Sequence, residues 1–147
     1  MTKRPEHAKE RRSTHRTHSA ALYAVASELC KRGYKVEFTM ENATPLADLR
    51  VVSPMLKKNF LIDVKGLYKR NSWKIKKRAA RDNLYYVLAF VPDDNKNRFF
   101  ILSQEQVNTH VRDELARLRR PDDYSSPGID WKQAEAQHED KWDMLPP

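Results

Sequence analysis

A single cysteine, Cys30, stands among the 147 residues, and one thiol can form neither an internal disulfide nor a thiolate metal cluster. No apolar run approaches the length of a membrane-spanning helix. The basic start, Met1-Thr2-Lys3-Arg4-Pro5, is followed by no apolar stretch like that of a signal peptide. Internal repeats and low-complexity tracts are lacking too. Ser27 and Thr39 have no histidine or base partner at a readable spacing, which leaves nucleophilic hydroxyl chemistry unsupported. These absences set the expectation of a soluble, cytoplasmic protein with no membrane partner, and the length suits one folded core.

Charge is abundant and unevenly spread. Lys and Arg number 28 against 20 Asp and Glu, a formal net charge of +8, and such an excess favours a polyanionic partner, above all nucleic acid. Residues 1–18 hold six of the basic residues and three of the five histidines, and read as a flexible basic arm. Without cysteines or spaced carboxylates beside them, His7, His15 and His18 read as solvated residues. Residues 65–81 carry eight Lys/Arg and no acid. Residues 121–147 reverse the sign, with seven acidic and two basic residues, so the other 26 basic and 13 acidic residues leave +13 on the rest. The expected organisation is an arm at 1–18, a core domain at 19–120 and an acidic tail at 121–147, which either docks on the core through Trp131 and Trp142 or stays loose.

Hydrophobic period separates the elements. Leu22, Val25, Ala26, Leu29 and Cys30 form one helical stripe from Ser19 onward, with Gly33 placed to stop it. Glu28 lies off that stripe, on a flank shared with the small residues Ala21 and Ala24. Residues 35–40, 48–52 and 59–65 read as strands, the last ended by Gly66. Residues 84–91 and 98–102 are two more, joined by a hairpin connection over Pro92–Asn97, and Tyr85, Tyr86, Phe90, Phe99 and Phe100 have the spacing of core residues. Ser103 followed by Gln106 is a capping box that opens a helix reaching about Arg119, where Pro121 ends it.

The third strand carries the chemistry. Residues two apart share a strand face, so Phe60, Ile62 and Val64 point into a core while Leu61, Asp63 and Lys65 point the other way. If Pro54–Lys58 is the turn of a hairpin, Asp48 at the head of the preceding strand comes opposite the Asp63–Lys65 end. Two carboxylates and an ammonium then meet at one rim of the sheet. A hard divalent cation binds through one or two carboxylates plus waters and phosphate oxygens, and a lysine beside it can orient water or offset charge on a phosphate in reaction. The Asp-x-Lys tripeptide alone is uninformative, since about 0.5 copies arise by chance in a chain this long. Its setting is what counts.

That setting, a helix, a strand, a strand led by Asp48, a strand with Asp63-Val64-Lys65 and a further strand, resembles the PD-(D/E)XK, or restriction-endonuclease-like, nuclease superfamily. The segment Glu28-Leu29-Cys30-Lys31-Arg32-Gly33-Tyr34-Lys35-Val36 is similar to resolvase-like members, whose first helix ends at a Gly-Tyr before the first strand. The likeness spans roughly residues 19–105. It departs at Ala47, where the motif's Pro would stand, although Pro45 lies close by. The resemblance implies an α/β fold, a restriction-endonuclease-like core with a mixed four- to five-stranded sheet flanked by helices in an αβββαβ-like order. It also implies a Mg²⁺-dependent endonuclease or exonuclease acting on DNA, with Mn²⁺ able to substitute, and a homodimer as one assembly. Asp48, Asp63, Lys65 and Glu28 would be the catalytic set, and Asp48, Asp63, Val64 and Glu28 the metal ligands. The alternatives are an inactive nucleic-acid-binding module on the same fold and a protein-interaction subunit.

Beside this site, Lys69, Arg70, Lys74, Lys76, Lys77, Arg78 and Arg81 are candidates for phosphate contact, against the plainer reading of a solvated helix or loop face. Trp73, within the same stretch, is either a base-stacking residue or, as its type more often is, a buried anchor.

Overall fold

A helix whose buried residues recur every fourth position opens the fold. In a computed structural model, which describes residues 13–39, 47–76, 78–79, 81–121 and 128–147, helix α1 runs Thr14–Lys31 and buries Thr17, Ala21, Val25, Ala26 and Leu29. Ser13 caps it, its side chain accepting from the Arg16 N–H at 3.2 Å. The helix therefore starts five residues earlier than its apolar stripe suggests, and residues 14–18 belong to it and not to an arm; residues 1–12 lie outside the described residues. At the other end the Gly33 N–H donates to Cys30 C=O and the Tyr34 N–H to Leu29 C=O, with Gly33 at φ +91°. This is the left-handed closure that glycine makes cheap.

Strands β1 (Lys35–Phe38), β2 (Leu49–Val52) and β3 (Asn59–Leu67) follow as an antiparallel meander. After the two-residue β4 (Trp73–Lys74) come β5 (Leu84–Phe90) and β6 (Arg98–Ser103), paired as a hairpin. The sheet order is β1-β2-β3-β5-β6, with β3 and β5 parallel and the other neighbours antiparallel. The expectation of an α/β protein with a mixed sheet is met at five strands. The expected αβββαβ-like order is not, because among the described residues of 68–83 there is β4 and no helix. Apolar Trp73 and Ile75 stand two apart in that segment, both buried, which suits extended chain and gives a helix no stripe.

Helix α2 (Gln104–Leu118) opens on the anticipated capping box, with the Ser103 side chain accepting from Gln106 N–H and the Gln106 side chain from Ser103 N–H. Two cores result, one on each face of the sheet. Phe60, Ile62, Val64, Val87, Ala89 and Ile101 pack with α1, while Tyr86, Leu88, Phe100 and Leu102 pack with Val107, Val111 and Leu115 of α2. β5 contributes to both, which is why Leu84–Phe90 is a nearly unbroken apolar run.

Residues 128–147 of the acidic segment pack on the core. β7 (Gly128–Ile129) pairs with β4, α3 (Trp131–Gln137) follows with Asp130 as its cap, and a 3₁₀ turn spans Trp142–Met144. Trp131 stacks on Trp73 with ring centroids 4.8 Å apart, and Trp142 and Leu145 join the core beneath α1. Its charge is used as well: Glu139 pairs in a fork with Arg98 at 2.7 and 2.8 Å, and Glu135 meets Arg70 and Arg98.

Candidate functional site

At the head of β2 the ladder with β3 breaks off. The Asp48 N–H still donates to Ile62 C=O at 2.9 Å, but one step on the Val64 N–H finds the Asp48 side chain, donating to Oδ2 at 2.8 Å. A carboxylate thus takes the place of a ladder carbonyl, and its position is fixed by the strand it serves. Across its other oxygen stands His18 of α1, with Nε2 3.4 Å from Oδ1. Burial works to raise the Asp48 pKa, but the hydrogen bonds from His18 and Val64 N–H outweigh it and hold the carboxyl below its ordinary value. The same contact with Asp48 raises the His18 pKa.

Asp63 lies on the β3 face away from α1, as strand alternation requires, and is only 4% exposed. Tyr86 is its register partner on β5. Arg78 reaches in to bond Asp63 Oδ2 at 2.9 Å, its guanidinium also lying over the Tyr86 ring at 5.8 Å. Lys65 Nζ is 3.4 Å from Asp63 Oδ1. Burial pushes the Asp63 carboxyl up to about 6; Lys65 and Arg78 oppose that shift, while the charge of Asp48 and a hydrogen bond shared with it favour the proton on Asp63. Two neighbouring carboxyls are therefore driven in opposite directions, one held ionised and the other drawn toward neutrality, a pattern that concentrates at functional sites.

Arg78 is placed by the polar start of α2. Asn108 accepts from the Arg78 N–H at 3.2 Å and donates to its C=O at 2.7 Å, while Gln104 donates to Ala79 C=O at 2.7 Å and accepts from Arg81 N–H at 2.6 Å. Two amide side chains thus pin the backbone at Arg78, Ala79 and Arg81.

Asp48, Asp63, Val64 and Lys65 line one open cleft of about 1060 Å³, together with His18, Lys69, Lys74 and Arg78. Glu28 is not brought to it. That side chain pairs with Lys31 at 3.8 Å and Arg32 at 3.9 Å on α1, ten residues beyond His18 and so about 15 Å further along the axis. From the first helix it is His18, expected among the solvated residues, that reaches the cleft. The N-cap Ser13 and the spacing of His18 from Leu22 and Val25, four and seven residues on, are the signals that could have placed it.

The basic stretch divides. Lys69, Lys74, Lys76 and Arg81 are exposed, while Lys77 lies outside the described residues. Arg70 pairs with Glu135 and lies over the Trp131 ring at 4.6 Å, and Arg78 is the partner of Asp63, so neither matches the expectation of a side chain held for phosphate. Trp73 is 1% exposed and sandwiched with Trp131 and Phe100, which removes it as a base-stacking residue and makes it the buried anchor.

The two aspartates and the Val64 carbonyl are hard oxygen donors of the kind Mg²⁺ accepts with waters completing its shell, so the donor set fits such an ion. Among the described residues no cluster of three or more His, Cys, Asp or Glu stands ready for a metal, so two carboxylates are what the side chains offer. No family model, curated protein or solved structure matches the chain.

Proposed function

We propose that the protein hydrolyses phosphodiester bonds in nucleic acid, with DNA as the first substrate to test, using a divalent cation of the Mg²⁺ class. The observation that carries this reading is the meeting of Asp48, Asp63 and Lys65 in one cleft, where the β2–β3 ladder ends. Asp48 and Asp63 would hold the cation, with the Val64 carbonyl as a third oxygen. Such an ion would polarise the scissile phosphate and offset the charge that builds on it. His18 and the Val64 N–H keep the Asp48 carboxylate ionised and oriented. Lys65, anchored at Asp63, presents an ammonium that stabilises negative charge on the phosphate and can orient the attacking water. Lys69 and Lys74, exposed along the cleft, hold flanking phosphates.

The test is incubation of the purified protein with supercoiled plasmid, single-stranded DNA, branched DNA and RNA in Mg²⁺, Mn²⁺ or EDTA. Cleavage that needs the cation and disappears in Asp63→Asn, with circular dichroism unchanged, is the expected result. Metal-dependent cleavage by Asp63→Asn at the wild-type rate would remove the site from consideration. Binding without cleavage under every condition would leave a nucleic-acid-binding module in place of the enzyme.

A further inference from the structure

Two aromatic rings stand in the open beside these carboxylates. Tyr23, on α1, is 66% exposed, and Phe38, at the end of β1, is 49% exposed. Their ring centroids are 5.5 Å apart at 56°, and both line the cleft that holds Asp48, Asp63 and Lys65. Single exposed aromatics are common and need no explanation. A touching pair on the wall of a charged cleft is a different case, because the two rings bring their apolar faces into water at one place. Both elements that carry them also hold the site. On α1, His18 and Tyr23 bound an arc about 140° wide, which His15, Ser19 and Leu22 fill along the cleft wall. On β1, Phe38 is in register with Leu49, the residue after Asp48, and the next residue, Thr39, donates its N–H to Asp48 C=O at 3.0 Å.

We infer that Tyr23 and Phe38 form a stacking platform for an unpaired nucleobase, so that the preferred substrate is single-stranded or splayed nucleic acid rather than uninterrupted duplex. This rests on the nucleic-acid reading of the same cleft. The chemistry selects the occupant. A cationic groove with aromatic rings along it suits a chain of phosphates and flat bases, since lysines track the backbone while rings take the bases. Within a duplex each base face is covered by its neighbours, so the rings can be used only by a base that has left the stack or lies at an end. Lys65, Lys69 and Lys74 supply the cationic part of the same wall.

Affinities measured in EDTA, at one salt concentration, separate this from the catalytic reading. The probes are fluorescein-labelled single-stranded DNA, the same sequence as RNA, the fully paired duplex, and single-stranded DNA carrying abasic positions. Wild-type protein binds the single strands more tightly than the duplex and loses affinity for the abasic strand. Tyr23→Ala with Phe38→Ala weakens binding of the intact single strand roughly 5- to 150-fold and leaves duplex binding unchanged. The double variant is also indifferent to abasic positions, and Tyr23→Phe with Phe38→Tyr restores the preference. The DNA and RNA arms show whether the sugar is read in addition to the base. Unchanged single-strand affinity in the double variant, or equal affinity of the wild type for strand and duplex, overturns the platform while leaving phosphodiester hydrolysis standing. Base-dependent binding without any cleavage in Mg²⁺ or Mn²⁺ supports the platform and defeats the enzyme. No binding to any probe defeats both. Loss of self-association in the double variant, with nucleic-acid affinity intact, would reassign the rings to a contact between two copies of the chain.

Discussion

Gly66 lies directly against α1, and an added methyl group there has nowhere to go. A Cβ built on Gly66 falls 2.6 Å from Ala21 Cβ and 3.1 Å from the Thr17 carbonyl oxygen. Ordinary contact between such carbons begins near 3.5 Å, so Gly66→Ala must push the helix off β3 by close to an ångström or bend the strand. Overpacking of a filled site costs about 1–3 kcal/mol. The strain falls on the turn that carries His18, so the contact with Asp48 is disturbed as well. In urea unfolding the midpoint should drop with the slope unchanged, and Tm should fall by about 2–4 °C per kcal/mol for a chain of this length. Ala21→Gly removes the nearer obstacle but costs about 1 kcal/mol as a mid-helix glycine. The double variant should therefore be no less stable than Gly66→Ala alone, a coupling of roughly 1 kcal/mol or more. Wild-type stability of Gly66→Ala, or strict additivity in the pair, would mean that α1 does not pack this closely on β3.

Lys65→Ala should lower single-turnover cleavage by roughly 10²–10³, and Mn²⁺ should not restore it, because the lost group acts on the phosphate and not on the cation; full activity would take the lysine out of the mechanism. Replacing Lys69, Lys74 and Lys76 by Ala should flatten the slope of log affinity against log salt by about one for each residue that meets a phosphate, and an unchanged slope would make them solvated surface. His138 is 3% exposed with its Nε2 2.7 Å from that of His110; burial first, and His110 second, hold its pKa down at about 4. The folded state thus resists a proton that the unfolded chain accepts below about 6.5, so stability should be intact above that pH and fall by on the order of 2–3 kcal/mol as the pH drops toward 4. His138→Gln should flatten that profile, and a flat wild-type profile over the same window would show the imidazole is not constrained.

What the sequence disclosed was local. A strand period of two places Asp63 and Lys65 on one face without knowledge of the rest, and a short turn at Pro54–Lys58 leaves Asp48 little choice but to arrive beside them. The capping box at Ser103 and the apolar run of β5 are likewise complete in themselves. What escaped depends on partners far along the chain. Trp73 is buried because Trp131 and Phe100 cover it, and nothing in residues 65–81 announces that. Arg78 turns inward because Asn108 holds its backbone, while Gln104 holds that of Ala79 and Arg81 beside it. The start of α1 was hidden because its first buried residue, Thr17, is polar and the apolar stripe begins only afterwards. Glu28 was misplaced for another reason: helical phase reports which way a side chain points, not how far along the axis it stands.

The docked tail bears on how the cleft is charged. Glu135 and Glu139 are spent on Arg70 and Arg98, and neither of those arginines lines the cleft. Arg78 is turned onto Asp63. Among the described residues, the lysines and arginines left to face solvent at the cleft are Lys69 and Lys74, with Lys65 beside the two aspartates. Folding thus turns Arg70, Arg78 and Arg98 onto carboxylates, while Lys65, Lys69 and Lys74 line the cleft that the two aspartates share. A planar guanidinium suits such pairing, because its fork matches a carboxylate and its face lies flat on Trp131 or Tyr86. Lys69 and Lys74 instead present compact, exposed ammonium groups on flexible stems to the cleft. Among the described residues, the cationic groups that the fold leaves for a ligand of this cleft are therefore lysines, beside the same two aspartates.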